Sequence, residues 1–217
     1  MKESYKIVYE GASDEIVEKK SRFIGIVYPI DNEDEALAFI EDCKKKYWDA
    51  RHRCFAYAVG ENMELQRFSD DGEPQGTAGK PILDVILNND IHNCLIIVVR
   101  YFGGTLLGTG GLVRAYSQAS KAALDKCEII DKTRGYVLEI ETDYNGIGKI
   151  QYLLGNRQLE IWKSDYADNV KLQVLVPVSQ KDAVMSEITE ATAGRGIMKA
   201  EEEIFFAKTG RDIITFE

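Results

Sequence analysis

An apolar run, CLIIVV at 94–99, leads directly into RYFGGTLLGTGGLVR at 100–114. Six apolar residues are too few to span a membrane and suit a strand buried on both faces. The glycines behind them favour a turn over a longer strand. Helical spacing then begins near Gly111 and continues to about Cys127, with Ala115, Ala119, Ala122 and Ala123 small enough for close packing on a sheet. Strand, glycine loop and helix in that order constrain this part of the chain to a layered α/β arrangement.

A second irregular segment precedes the run. SDDGEPQGTAGKP at 69–81 holds three glycines and two prolines, which no regular element accommodates. Asp70, Asp71 and Glu73 crowd negative charge into it, so these carboxylates must be solvated, hydrogen-bonded, paired with a base or bound to a cation. Together the two segments mark 69–114 as the functional stretch.

Two nucleotide motifs fail at particular residues. Gly103 and Gly108 have the spacing of a phosphate loop, but Thr109 stands where that loop requires lysine. A dinucleotide fingerprint starting at Gly108 and Gly110 requires glycine at 113, where the chain has Val113. Two readings of the glycine loop stay open. It can cradle an anion on its amides between Arg100 and Arg114. Alternatively its glycines serve tight turning, and the two arginines pair internally with Asp70, Asp71 or Glu73.

Other chemistry is weaker. His52 and His92 are the only histidines and are read as partly exposed polar residues at strand entrances. Cys43, Cys54, Cys94 and Cys127 lie among apolar residues without a CxxC pair, as expected of reduced, buried thiols. No nucleophile elbow surrounds Ser69, Ser117 or Ser120. Oxygen ligation of a magnesium ion by the acidic turn would require the three carboxylates to converge. Neither a cofactor nor a metal is expected. Tyr101, Phe102 and Tyr116 could stack on bases, although core packing is the expected role of Phe102.

Elsewhere, strands are expected at 21–30, 53–59 and 63–68, the last two as a hairpin. A helix at 32–47 has Asp34 and Glu35 in its first turns and Lys44, Lys45 and Lys46 in its last, matching the helix dipole. Another helix, at 81–87, opens on Pro81. Composition shifts near 131–135, giving expected domains of 1–133 and 134–217. The second reads strand 136–141, helix 145–154, strands 158–163 and 170–176, helix 181–191 and a strand near 203–206, a βαββαβ order.

The formal charge is −9, and the acidic excess extends over both domains, so the chain as a whole lacks the field used for non-specific phosphate-backbone binding. Local basic groups remain at Lys19, Lys20 and Arg22 and around His52. The opening MKESYKIVYEG has no apolar core of an export signal, so a cytoplasmic protein without a membrane span is expected.

The segments KKSRFIG at 19–25, ARHRCFAYAVG at 50–60, FSDDGEPQGTAGKPIL at 68–83 and VVRYFGGTLLGTGGLVRAY at 98–116 resemble the Impact family, in its bacterial, YigZ-like branch. The resemblance spans almost the whole chain. It implies an α+β fold, with an N-terminal α/β sandwich-like domain similar to domain IV of elongation factor G. A ferredoxin-like domain similar to domain V of that factor follows. Both related domains work against RNA on the ribosome.

Carried over by motif, the implied interaction surface comprises Arg22, His52, Asp70, Asp71, Glu73, Arg100, Thr105 and Arg114. Arg53 departs from the asparagine common in the family. The starvation-kinase role of eukaryotic members uses an additional N-terminal module and is not expected here, because the resemblance begins almost at Met1. The expected function is a non-catalytic RNA-, ribosome- or translation-associated binding or regulatory role, with rRNA, tRNA, the ribosome or a translation-associated protein as partner. The alternatives are an enzyme acting on a phosphorylated or other anionic small molecule and a protein adaptor that uses the acidic turn.

Overall fold

In the computed structural model, which describes residues 2–210 and 212–216, contacts divide the chain into Met1–Ile130 and Asp131–Glu217. The first unit begins with β1 (Ser4–Glu10), β2 (Ser13–Glu18), β3 (Ser21–Pro29), α1 (Glu33–Lys46), β4 (His52–Val59) and β5 (Leu65–Ser69). It continues with α2 (Gly79–Asn88), β6 (Ile91–His92), β7 (Cys94–Tyr101) and α3 (Thr109–Leu124). Strand β8 (Glu128–Thr142) then runs unbroken through the compositional shift.

The apolar run forms most of β7, the central strand of the antiparallel order β2-β3-β7-β4-β5. Its residues alternate between two cores. Cys94, Ile96 and Val98 pack with Ile82 and Ile86 of α2 and Ala115 and Ala119 of α3. Leu95, Ile97 and Val99 pack with Ala36, Ile40 and Cys43 of α1. Burial on both faces explains the run's lack of polar alternation, and each such Ile or Leu contributes about 1.5–3 kcal/mol.

Helix α1 ends near the expected limits for a local reason. The Asn32 side chain accepts from Glu35 N at 2.9 Å, while the Glu35 carboxylate accepts from Asp31 N at 2.8 Å, so two otherwise orphaned donors are satisfied. Pro81 lies in the first turn of α2, two residues inside its start, where its missing N–H costs nothing. Beneath α3, a β-carbon on Gly25 of β3 would lie 2.4 Å from Ala119 O, the close approach expected from the helix's small residues.

The polar opening contains β1 and β2, neither of which was expected. In β2, half-buried and exposed positions alternate and half of the residues are acidic, as suits an edge strand. His92 is fully buried in β6, correcting its expected partial exposure, with Nδ1 3.2 Å from Gly60 O.

The second unit is built from β8 onward with α4 (Ile147–Asn156), β9 (Ile161–Tyr166), β10 (Val170–Pro177), α5 (Lys181–Ala191), β11 (Ile197–Thr209) and β12 (Asp212–Phe216). Its strands are antiparallel in the order β9-β10-β8-β11-β12. Leu138, Ile140, Leu172 and Val174 share a core with Ile150 and Leu154 of α4 and Val184 and Ile188 of α5. The expected βαββαβ order is present, and β12 extends it. The architecture is α+β with two domains.

Candidate functional site

Strand pairing sets a row across the end of the first sheet: Phe23 opposite Arg100, and Arg100 opposite His52. Residues directly opposite share a face. Arg100 is only 5% exposed, and its guanidinium lies 5.3 Å from the centroid of Phe23 and 5.6 Å from that of Phe102. Its Nη1 donates to Glu73 Oε1 at 2.6 Å, and Nη2 reaches Ser21 Oγ at 3.5 Å. Removing a charge from water is tolerated here because the partner carboxylate is equally buried.

Tyr116 of α3 completes this centre, donating to the same Glu73 oxygen at 2.8 Å. Burial, first of all, pushes its phenol pKa up, so it remains a donor. Cys54 Sγ lies 3.0 Å from Asp70 O and 3.3 Å from the Tyr116 hydroxyl. Burial also drives this thiol's pKa up, leaving a hydrogen-bonding thiol without nucleophilic activation. His52 Nδ1 stands 2.8 Å from Asp71 O. A carbonyl only accepts, so Nδ1 carries the hydrogen, and Nε2 faces Glu73 Oε1 at 3.9 Å.

The other two carboxylates build the loop. Asp70 accepts from Gly76 N at 2.8 Å through one oxygen, and from Ala78 N at 3.0 Å and Gly79 N at 2.8 Å through the other. It thereby caps α2 from outside the helix. Asp71 accepts from Arg53 N at 2.7 Å and lies 3.5 Å from Arg53 Nε. The three carboxylates thus serve different partners and do not converge. Among the described residues, no group of three or more His, Cys, Asp or Glu side chains is arranged to hold a metal ion.

Asp70→Asn tests the cap: the amide retains one acceptor oxygen where the carboxylate has two, so stability should fall by about 1–2 kcal/mol. Chemical denaturation checks this, with a midpoint shift at constant slope as the expected result.

The glycine loop lies beside this frame. Gly103 N donates to Ser21 Oγ at 3.1 Å, and a β-carbon on Gly103 would sit 2.0 Å from Lys20 C and 2.2 Å from Lys20 O. Only glycine lets the loop lie against the β2–β3 turn. Gly108 precedes α3 with φ +73, a left-handed conformation that glycine adopts without strain. From this support Phe102 and Leu106 project outward, Leu106 being 83% exposed. The exposure of Phe102 corrects its expected core role. Apolar burial beneath it is instead supplied by Phe23, which stacks edge-on with Tyr116.

The implied surface residues therefore separate. His52, Glu73 and Arg100 line one cleft of about 450 Å³, together with Arg51, Pro74 and the start of α3. Asp70 and Asp71 shape its rim from behind. Thr105 is exposed on the glycine loop. Arg114 lines a separate groove with Glu18, Lys19 and Gln118, and it does not join Arg100 around a shared anion. Arg22 bonds Glu15 through two nitrogens, at 3.0 and 2.7 Å. Among the described residues, no ion pair engages Lys19, Lys20, Arg51 or Arg114.

Three contributors were missing from the expected interaction surface. Ser21 and Cys54 sit at ordinary strand positions, and Tyr116, weighed only as a possible base stacker, instead donates to Glu73 from inside the core, so only tertiary packing reveals their roles.

Comparison with known proteins places these features in a wider group. Residues 19–124 match the Impact N-terminal domain, and 140–195 match a domain of unknown function, DUF1949. The chain is 36% identical over 208 residues to the IMPACT family member YvyE of Bacillus subtilis (strain 168), covering 96% of each. It is 37% identical over 187 residues to the IMPACT family member YigZ of Escherichia coli (strain K12), covering 85% of this chain and 92% of that one. A crystal structure described as that of a hypothetical protein aligns with TM-score 0.60 and 35% identity, covering 93% of this chain and 99% of the other. The Impact homologue of Saccharomyces cerevisiae (strain ATCC 204508 / S288c) is 30% identical over 123 residues, 54% of this chain and 47% of its own length.

Proposed function

Since the chain belongs to the Impact family, in its bacterial branch, we propose that it is a non-catalytic, translation-associated protein that binds RNA or ribosomal sites through the glycine-loop end of its first unit. The carrying observation is the division of charge at that end. Glu73 neutralises Arg100 inside, whereas Lys19, Lys20, Arg51 and Arg114 are exposed and, among the described residues, have no carboxylate partner. Phe102 and Leu106 stand among them as exposed apolar contacts. Cations interleaved with an aromatic group suit an unpaired strand, where phosphates meet charge and bases meet a ring.

We read the first unit as related to domain IV of elongation factor G. The second we read as ferredoxin-like, supported by the antiparallel order β11-β8-β10-β9 with both helices in one core. The small-molecule enzyme reading is weakened because Arg100, its anion-holding group, is bonded to Glu73. The adaptor reading is weakened in turn because Asp70 and Asp71 bind the chain's own backbone.

Binding of the purified chain to ribosomes and to single-stranded RNA at low salt tests the proposal. Four phosphate contacts predict a slope of log affinity against log salt of roughly −3 for single strands. Arg114→Ala should reduce the slope by about 0.7 and weaken binding several-fold, whereas Lys208→Ala, in the second unit, should leave both unchanged. Absence of binding to RNA and ribosomes at low salt would sink the reading.

A further inference from the structure

We infer that the cleft between the acidic turn and the start of α3 is a pocket for one unstacked nucleobase carrying an exocyclic amine. This inference rests on the RNA-binding reading and assigns its base-reading element. At about 450 Å³ the cleft is of small-ligand size. Pro74, Phe102, Leu106, Leu107 and Leu112 give it apolar walls, with Phe102 offering a ring face. Arg51 lines it as well, a cation suited to the attached phosphate.

The polar floor identifies the class of ligand. Glu73, its side chain 3% exposed, spends Oε1 on both Arg100 and Tyr116, and among the described residues no donor reaches Oε2. His52, its side chain 12% exposed, has Nδ1 committed to Asp71 O, so in the Nδ1–H tautomer Nε2 is a second acceptor, 3.9 Å from Glu73 Oε1. The Arg100 Nη donors face Glu73 and Ser21, and its Nε, which has no partner among the described residues, is buried away from the cleft's solvent. The floor therefore presents acceptors, and an NH2 group can donate to both.

Buried acceptors that gain a donor are stabilised, whereas an opposing carbonyl oxygen meets like partial charge and leaves them unsatisfied. Cytosine, adenine and guanine carry an exocyclic amine, and uracil carries a carbonyl where cytosine has its amine. Glutamate accepting from a cytosine amine is an established pairing chemistry. Cytosine against uracil is accordingly the sharpest comparison, because the two share ring size and differ in this donor.

The test is amide chemical-shift titration of the intact chain with CMP and with UMP, alongside binding of twelve-residue oligo(C) and oligo(U). CMP should move amides of residues lining the cleft and bind at least about tenfold tighter than UMP, with oligo(C) favoured in the same sense. Thr109→Trp puts bulk at an exposed cleft position without touching the buried ion pair. It should abolish the preference while leaving a residual, salt-dependent affinity for both oligonucleotides.

Equal affinities for CMP and UMP, or shifts confined to residues outside the cleft, would overturn the inference. So would methylamine or arginine moving the cleft amides as strongly as CMP, since that would make the floor a simple amine site. Oligonucleotide binding without base preference removes the pocket and leaves the RNA-binding reading standing. CMP selectivity in a chain that binds neither oligonucleotide nor ribosome upholds the pocket and removes that reading.

Discussion

Glu73→Ala should lower the unfolding temperature of the first unit by about 10–20 °C. The substitution leaves the Arg100 guanidinium inside the protein without its carboxylate and takes the acceptor from Tyr116. Breaking a buried pair from one side costs about 3–5 kcal/mol, most of it the penalty for an uncompensated charge. For a unit of this size each kcal/mol corresponds to roughly 3–4 °C. Scanning calorimetry measures the loss, and the double variant Glu73→Ala/Arg100→Met separates its causes. Methionine between the Phe23 and Phe102 rings removes the stranded charge and keeps apolar contact. The double variant should regain more than half of the lost stability. A single variant within about 1 kcal/mol of the parent would mean that the pair does not hold the frame together.

Gly103→Ala is expected to have the next largest effect, acting on shape. Its β-carbon would lie 2.0 Å from Lys20 C, 2.2 Å from Lys20 O and 2.3 Å from Ser21 N, all backbone atoms that cannot rotate away. The loop and the β2–β3 turn must separate, breaking the Gly103 N to Ser21 Oγ bond at 3.1 Å. Overpacking of this kind costs about 1–3 kcal/mol, and the lost bond adds about 1 kcal/mol. Separating Lys19 and Lys20 from the loop should also weaken RNA binding by about tenfold or more. Gly110→Ala is the matched control. Its nearest new contact would be Arg114 Nη1 at 3.7 Å, and it lies in the first turn of α3 with no left-handed requirement, so stability should hold or rise slightly. Equal behaviour of the two variants in calorimetry and RNA binding would rule out the close approach as the reason for glycine at 103.

Much of the fold was legible because its signals are local. Asn32, the acidic first turn and the three lysines mark the limits of α1, and the expected limits of α5 coincide with Lys181–Ala191. The apolar run at 94–99 suited a central strand covered on both faces, and β7 is that strand. Two of the strands that escaped notice lack such signals, since β6 has two residues and β2 is a charged edge strand, whereas β1 carries buried Tyr5, Ile7 and Val8 and was passed over as part of a polar opening. Strand β8 is longer than expected because Thr133, Arg134 and Gly135 interrupt its apolar pattern while antiparallel pairing continues through β10 or β11.

The candidate site was legible as a stretch of chain. Glycine spacing, the acidic turn and the long motifs determined, from the sequence by itself, that 69–114 holds two irregular loops, with a short helix and a strand between them, and starts a further helix from the second loop. Only the tertiary structure decided what each charge does. Arg100 and Arg114 both flank the glycine loop and both stand beside an apolar or aromatic residue, so nothing local distinguishes them. Strand pairing places Arg100 between Phe23 and His52, under the helix face that carries Tyr116, and burial there demands Glu73 as its partner. Arg114 lies on an exposed face of α3, where water can solvate its charge and no carboxylate is required. The desolvation cost, set by which way a side chain points once the layers close, makes one arginine part of the frame and leaves the other free to meet a partner.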